Sequence, residues 1–149
     1  MLETLHNYRQ ISDKIHSSGQ PTVDDFKLIH QAGIKTIINL ARTDSPNAIS
    51  NEAEIAHEKN LDYIHIPVDF KKPNTPELEL FFNTMEQHNS KTILVHCAYN
   101  WRVACFVYLY RIIKQDCNNE IATQDMLSVW TPDKTWQTFI NKVLQIKNN

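Results

Sequence analysis

Seven consecutive residues carry the chemistry of this chain: His96-Cys97-Ala98-Tyr99-Asn100-Trp101-Arg102. Lys91-Thr92-Ile93-Leu94-Val95 precedes them, an apolar run with β-branched residues that reads as a buried strand. Val103, Phe106, Val107, Tyr110 and Ile113 follow as one helical stripe. A thiol between strand and helix lies at the carboxyl edge of a sheet, where α/β proteins place ligands. It also faces the free N–H groups and positive dipole end of the next helix, which attract an anion. The same field favours the thiolate over the thiol. Arg102 adds a permanently charged fork that grips two oxygens of a phosphate or similar oxyanion. Thiolate, amides and arginine together make a phosphoryl-transfer site.

The rest of the chain must hold that loop. Leu5, Tyr8, Ile11 and Ile15 suggest one or two short N-terminal strands before the break Ser17-Ser18-Gly19-Gln20-Pro21. Thr22 caps a helix with Val23, Phe26 and Ile29 on its apolar face, ending at Gly33. Ile34-Lys35-Thr36-Ile37-Ile38-Asn39-Leu40 reads as a buried strand, and a polar segment leads to a weaker helix over 51–60. Asp62 to Val68 alternates as a strand. Thr75-Pro76 starts a helix, with Thr75 as its cap and Leu78, Phe81, Phe82 and Met85 on one face. Two C-terminal helices follow, the second capped at Thr131-Pro132 and carrying Trp136, Phe139, Ile140, Val143 and Leu144. Strands alternating with helices predict an α/β fold in three layers, with a central, largely parallel sheet flanked by helices. A length of 149 residues suits a single domain spanning 1–149.

His-Cys-x-x-x-x-Arg after a strand resembles the signature loop of cysteine-based protein tyrosine phosphatases. Ser18-Gly19-Gln20-Pro21, the helix after it and Ile34 to Leu40 resemble the opening of bacterial dual-specificity-phosphatase-like proteins. Ile66-Pro67-Val68-Asp69 and the helix beyond are similar to the segment that holds their general acid. The likeness runs from about Ile15 to Ile113. It implies a phosphoric monoester hydrolase that needs no metal or organic cofactor. Cys97 would be the nucleophile, passing through phosphocysteine. Arg102 and the amides of Ala98, Tyr99, Asn100, Trp101 and Arg102 would bind phosphate, with His96 behind the thiolate. Asp69 is the candidate general acid, worth about 10²–10⁴-fold in rate; a solvated or capping carboxylate is the competing reading.

The loop departs from the family in three ways. It has four residues between cysteine and arginine where the common loop has five. It contains no glycine, and Asn100 is its best residue for a left-handed backbone. Val103 occupies the place of a frequent Ser or Thr hydroxyl. The short spacing is shared with a bacterial branch similar to the phosphatase-like half of beta-lactamase hydrolase-like proteins. The six-residue loop length also matches rhodanese-type sulfurtransferases, so a Cys97 persulfide is a second reading. A non-catalytic phosphate-binding module is a third.

Composition narrows the field further. Fifteen Lys+Arg against 17 Asp+Glu leave a net charge of −2 with no basic block, which disfavours a nucleic-acid partner. Only Gly19 and Gly33 occur, excluding a Walker A loop, a G-x-G-x-x-G turn and a G-x-S-x-G elbow. Cys97, Cys105 and Cys117 lack disulfide-framework spacing, and no signal-peptide pattern opens the chain, so a reduced cytoplasmic setting is expected. The longest apolar stretch, Val103 to Ile113, is half a membrane span. Seven histidines show no ligand spacing, and His6, His16, His30, His57 and His88 read as surface or capping groups. Cys105 reads as core packing, with a resolving thiol as its alternative, and Cys117 as a bystander. Arg42 reads as a solvated loop residue that can reach the pocket rim. Tyr99 and Trp101 read as an aromatic wall or as packing, Trp130 and Trp136 as packing. The expected partner is a phosphorylated substrate, a phosphoprotein or a small phosphate ester, with no membrane; oligomeric state stays open.

Overall fold

The computed structural model describes residues 1–148. Its centre is a five-stranded sheet of β1 (Arg9–Gln10), β2 (Ile15–Ser18), β3 (Thr36–Asn39), β4 (Asp62–His65) and β5 (Ile93–His96). The spatial order is β1-β2-β5-β3-β4, with β1 antiparallel and the other pairings parallel. Parallel neighbours need crossovers, and helices supply them: α1 (Asp25–Gln31) between β2 and β3, α2 (Glu52–Glu58) between β3 and β4, and α3 (Thr75–Gln87) between β4 and β5, while α4 (Trp101–Ile113), α5 (Asn119–Val129) and α6 (Lys134–Asn148) follow the last strand.

The period-two alternation of strand side chains sorts the core into two halves. Ile37 of β3 and Leu94 of β5 face Phe26 and Ile29 of α1 and Ile55 and Ala56 of α2. Ile38, Ile93 and Val95 face the opposite way, into Phe81, Phe106, Trp136 and Phe139 of α3, α4 and α6. Fully burying one such phenylalanine stabilises the fold by about 1.5–3 kcal/mol. The three layers are those the sequence predicts, and β5 lies in the middle of the middle one.

Several local expectations shift. The α3 cap is Asn74, whose side chain accepts from the Glu77 amide at 3.0 Å, so Thr75 and Pro76 lie inside the first turn. For α6 the cap is Asp133, which accepts from the Trp136 amide at 2.9 Å. Asn and Asp rank above threonine as caps, each accepting a first-turn amide through a side-chain oxygen. Thr22 does hold the start of α1, exchanging hydrogen bonds with Asp25. Val23 lies outside that helix and is exposed. His16 is buried on β2, paired through Nδ1 with Tyr8 Oη at 2.6 Å, and is therefore no surface group. Among the described residues no helix is long and apolar enough to cross a membrane.

Candidate active site

The carboxyl ends of β3, β4 and β5 open into one cavity of about 460 Å³, lined by Arg42, Asp69, Phe70, Cys97, Tyr99, Trp101 and Arg102 among others. Cys97 follows directly on β5 and is buried at the cavity floor. The next residues wrap into α4. Asn100 makes the bend at φ 71°, a left-handed conformation that asparagine tolerates better than other non-glycine residues. The loop thus needs no glycine of its own.

The outer face of the loop is tied down through its carbonyls. The Ala98 oxygen accepts from the Gln20 amide at 3.1 Å and from Asn47 Nδ2 at 3.1 Å. The Tyr99 oxygen accepts from Asn7 Nδ2 at 2.8 Å. Asn100 bonds in the reverse direction, its Nδ2 donating to the Asn7 carbonyl at 2.9 Å and to Ser17 Oγ at 3.1 Å. In a trans peptide C=O and N–H point in opposite directions. Carbonyls bonded outward therefore turn the amides of Tyr99 and Asn100 inward. Trp101 and Arg102 add first-turn amides that have no intrahelical acceptor.

Arg102 is buried in the lining of the same cavity. One guanidinium nitrogen donates to the Val68 carbonyl at 2.9 Å, and its carbon lies 5.9 Å from the Phe70 ring centroid. The same short segment carries Asp69. Its Oδ1 accepts from the Lys71 amide at 2.9 Å, and Oδ2 lies 3.4 Å from Arg42 Nη1. Trp136 Nε1 pins the segment from beneath through the Phe70 carbonyl at 2.9 Å. Arg42 also lies 3.5 Å from Asp44, so it is half-exposed and yet part of the cavity wall. Neighbouring Glu77 has its carboxyl pushed up by burial and by the charge of Asp69.

Aromatic rings form the opposite wall. Tyr99 and Trp101 are partly exposed, and Trp101 stacks on Trp130 at 5.0 Å and 3°. Trp101 also lies 6.0 Å from Phe70. Both readings meet in Trp101, which lines the cavity and packs on Trp130 at the end of α5, whereas Tyr99 lines the cavity and meets His6 edge-on. Trp136 is fully buried, and Cys105 is buried one face of α4 away, its thiol pushed up by desolvation.

Behind the loop His96 has a partner that sequence reasoning does not find. His96 Nε2 meets Glu52 Oε2 at 2.6 Å with the two side chains 0% and 3% exposed. Glu52 Oε1 accepts from Gln20 Nε2 at 2.8 Å. Burial pushes the Glu52 carboxyl up, but the charge and hydrogen bond of His96 and the hydrogen bond of Gln20 outweigh it and hold it below the ordinary value. No motif marks Glu52, which sits 44 positions from its partner in an unremarkable helix. Asn7 and Asn47 are equally silent, since each reaches the loop only through long-range hydrogen bonds. Gln20 stands in the resembling segment, yet nothing in the sequence points it at Glu52. Of the site residues singled out from the sequence, Asp69, Cys97, Ala98, Tyr99, Trp101 and Arg102 line this one cavity, and Asn100 is buried behind it at the bend of the loop.

The family model described as "DSP-PTPase phosphatase fused to NAD+ Kinase" matches residues 6–140. No curated protein matches the sequence. Among solved structures, the DUF442 protein of Shewanella putrefaciens CN-32 is 32% identical with a TM-score of 0.89, covering 98% of this chain and 96% of that one. TpbA of P. aeruginosa is 15% identical with a TM-score of 0.73 over 97% and 92% of the two chains. The core catalytic domain of the PP-IP phosphatase SIW14 of S. cerevisiae is 16% identical with a TM-score of 0.74 over 97% and 92%.

Proposed function

The chain belongs to the dual-specificity-type phosphatase family whose members are described as fused to NAD+ kinase, and on that footing we propose that it hydrolyses phosphate monoesters through Cys97, with all of 1–149 as one catalytic domain. The observation that carries the reading is the convergence of Cys97, Arg102 and inward-turned loop amides on the floor of one cavity. The substrate phosphate would lie among the amides of Ala98, Tyr99, Asn100, Trp101 and Arg102, its non-bridging oxygens shared with the Arg102 fork. The Cys97 thiolate attacks phosphorus in line. The ester P–O bond breaks, and the leaving oxygen takes a proton from Asp69. Water then attacks phosphocysteine, giving its proton to the Asp69 carboxylate, and phosphate and thiolate are released.

Asp69 enters this cycle from an ion pair with Arg42. It has to leave that partner to carry a proton, and the phosphate dianion offers Arg42 a stronger one. The aromatic wall of Tyr99 and Trp101 suits a flat leaving group. A TpbA variant has been solved in complex with pTyr, and SIW14 is a PP-IP phosphatase; a phosphorylated protein or small phosphate ester is the corresponding proposal here.

The test is initial-rate hydrolysis of an aryl phosphate by the intact protein and by Cys97→Ser. Vanadate-sensitive turnover in the first and none in the second is the expected result. Equal rates in the two would overturn the reading. If neither turns over while vanadate still raises the melting temperature, the cradle binds phosphate without catalysis, and the enzyme reading also fails.

A further inference from the structure

Three hydrogen bonds close a ring behind the nucleophile. His96 Nε2 meets Glu52 Oε2 at 2.6 Å, Gln20 Nε2 donates to Glu52 Oε1 at 2.8 Å, and the Gln20 amide donates to the Ala98 carbonyl at 3.1 Å. The backbone from His96 to Ala98 completes the circuit. It joins the end of β5, the first residue of α2 and the β2–α1 connection. The other ring nitrogen of His96, Nδ1, lies 3.4 Å from the Cys97 carbonyl.

We propose that Glu52 is a positioning residue that keeps His96 protonated on both ring nitrogens, fixing an imidazolium immediately behind the Cys97 thiolate. The inference rests on the reading of Cys97 as nucleophile. Its argument is an inventory of donors and acceptors. A carbonyl oxygen only accepts, so the nitrogen facing it carries a proton. An ionised carboxylate also only accepts, so the nitrogen facing Glu52 carries the other. A carboxylate this deeply buried requires a counter-charge, and His96 is the cationic side chain in contact with it. The pair is neutral as a whole, but its positive member is the one adjoining Cys97. Its dipole therefore adds to that of α4 at the thiolate.

The other titratable groups that face the pair leave the assignment standing. Tyr63 and His65 of β4 and Arg42 share a pocket wall with Glu52. The Tyr63 phenol is pushed up to about 12 by burial and stays uncharged. His65 Nε2 is engaged with the Ala41 carbonyl at 2.6 Å, and Arg42 is engaged with Asp44 and Asp69.

Glu52→Gln is close to isosteric but removes the negative charge that holds His96 as an imidazolium. Its oxygen can still accept from His96, while its NH₂ faces Gln20, which must turn its own unpaired Oε1 inward and give up its bond to the Pro21 carbonyl. The readout is the rate of iodoacetamide alkylation of the Cys97 peptide, followed by mass spectrometry, which needs no turnover. At pH 7 the variant is expected to alkylate about tenfold more slowly than the intact protein. The two rates should converge near pH 10, where thiols ionise unaided. His96→Asn should slow alkylation at pH 7 to the same extent, and the double variant no further. An unchanged rate at pH 7, a deficit persisting at pH 10, or additive losses would each overturn the proposal. Nitrogen-15 NMR of the His96 ring in the unaltered protein decides the matter even where the variants do not fold. Two protonated nitrogens at pH 7 are required, and one bare nitrogen refutes the assignment. Alkylation that depends on Glu52 in a protein without phosphatase activity would refute only the hydrolytic reading.

Discussion

The main-chain amide of Gln20 donates to the carbonyl of Ala98 at 3.1 Å, so the connection after β2 is laced directly to the loop after β5. Gly19, one residue earlier, makes that approach possible. A Cβ at position 19 would lie 2.8 Å from the Ala98 carbonyl oxygen and 2.4 Å from His6 Cδ2. The His6 ring can swing away; the backbone oxygen cannot move without moving the cradle. Gly19→Ala is therefore expected to destabilise by about 1–3 kcal/mol and to weaken vanadate binding in the same step. A thermal melt with and without vanadate reads both. Unaltered vanadate binding would mean that the cradle does not depend on this contact.

Asp69→Asn should separate leaving groups. An alkyl phosphate needs its departing oxygen protonated, and its rate is expected to fall by about 10²–10⁴-fold. A nitrophenolate leaves readily as an anion, so p-nitrophenyl phosphate should lose far less. Equal losses on the two substrates would remove Asp69 from the acid role and leave it as the partner of Arg42.

Asn100 does two jobs at one position. Its backbone is left-handed, and its Nδ2 holds the Asn7 carbonyl and Ser17 Oγ. Asn100→Gly frees the backbone and loses only the hydrogen bonds, worth about 1 kcal/mol each. Asn100→Ala loses them and adds about 1 kcal/mol of left-handed strain. Urea unfolding should rank the intact protein above the glycine variant and the glycine variant above alanine. Alanine at or above glycine would show that backbone strain does not govern this bend.

Acid should uncouple α2 from the site. The Glu52 carboxyl titrates below its ordinary value of 4.5 in the folded chain. A carboxyl lowered by folding contributes stability that is complete above its unfolded value. That contribution is lost as pH falls below about 4.5 and through the folded value. Glu52→Gln has no such proton to take up. Its melting temperature should therefore fall less steeply below pH 4.5 than that of the intact protein, and parallel curves would contradict the assignment.

Much of this architecture is legible in the residues themselves. Runs such as Ile34 to Leu40 and Lys91 to His96, separated by amphipathic helices, specify a parallel sheet because only such a sheet is covered on both faces. Cys97 and Arg102 are legible because strand, loop and helix follow one another without a gap. The supporting groups are not. Glu52, Gln20, Asn7 and Asn47 act across 32 to 93 positions of sequence, through contacts that exist only once the sheet is assembled. The helix caps differ from expectation by a residue or two because Asn74 and Asp133 stand beside an equally plausible threonine. His16 reads as a surface group in the sequence because its burial depends on β1 and β2 pairing, and both strands are short.

β5 is hydrogen-bonded on both sides, to β2 and to β3, and Ile93, Leu94 and Val95 are buried on both faces. Amides in such a strand exchange with solvent only when the whole sheet opens. The proposed nucleophile is thus covalently joined to this doubly paired strand, while Asp69 lies half-exposed at the start of a turn. Local fluctuation can reach the proposed proton donor without reaching the thiol. Any loss of global stability, however remote its cause, is felt at Cys97 in full.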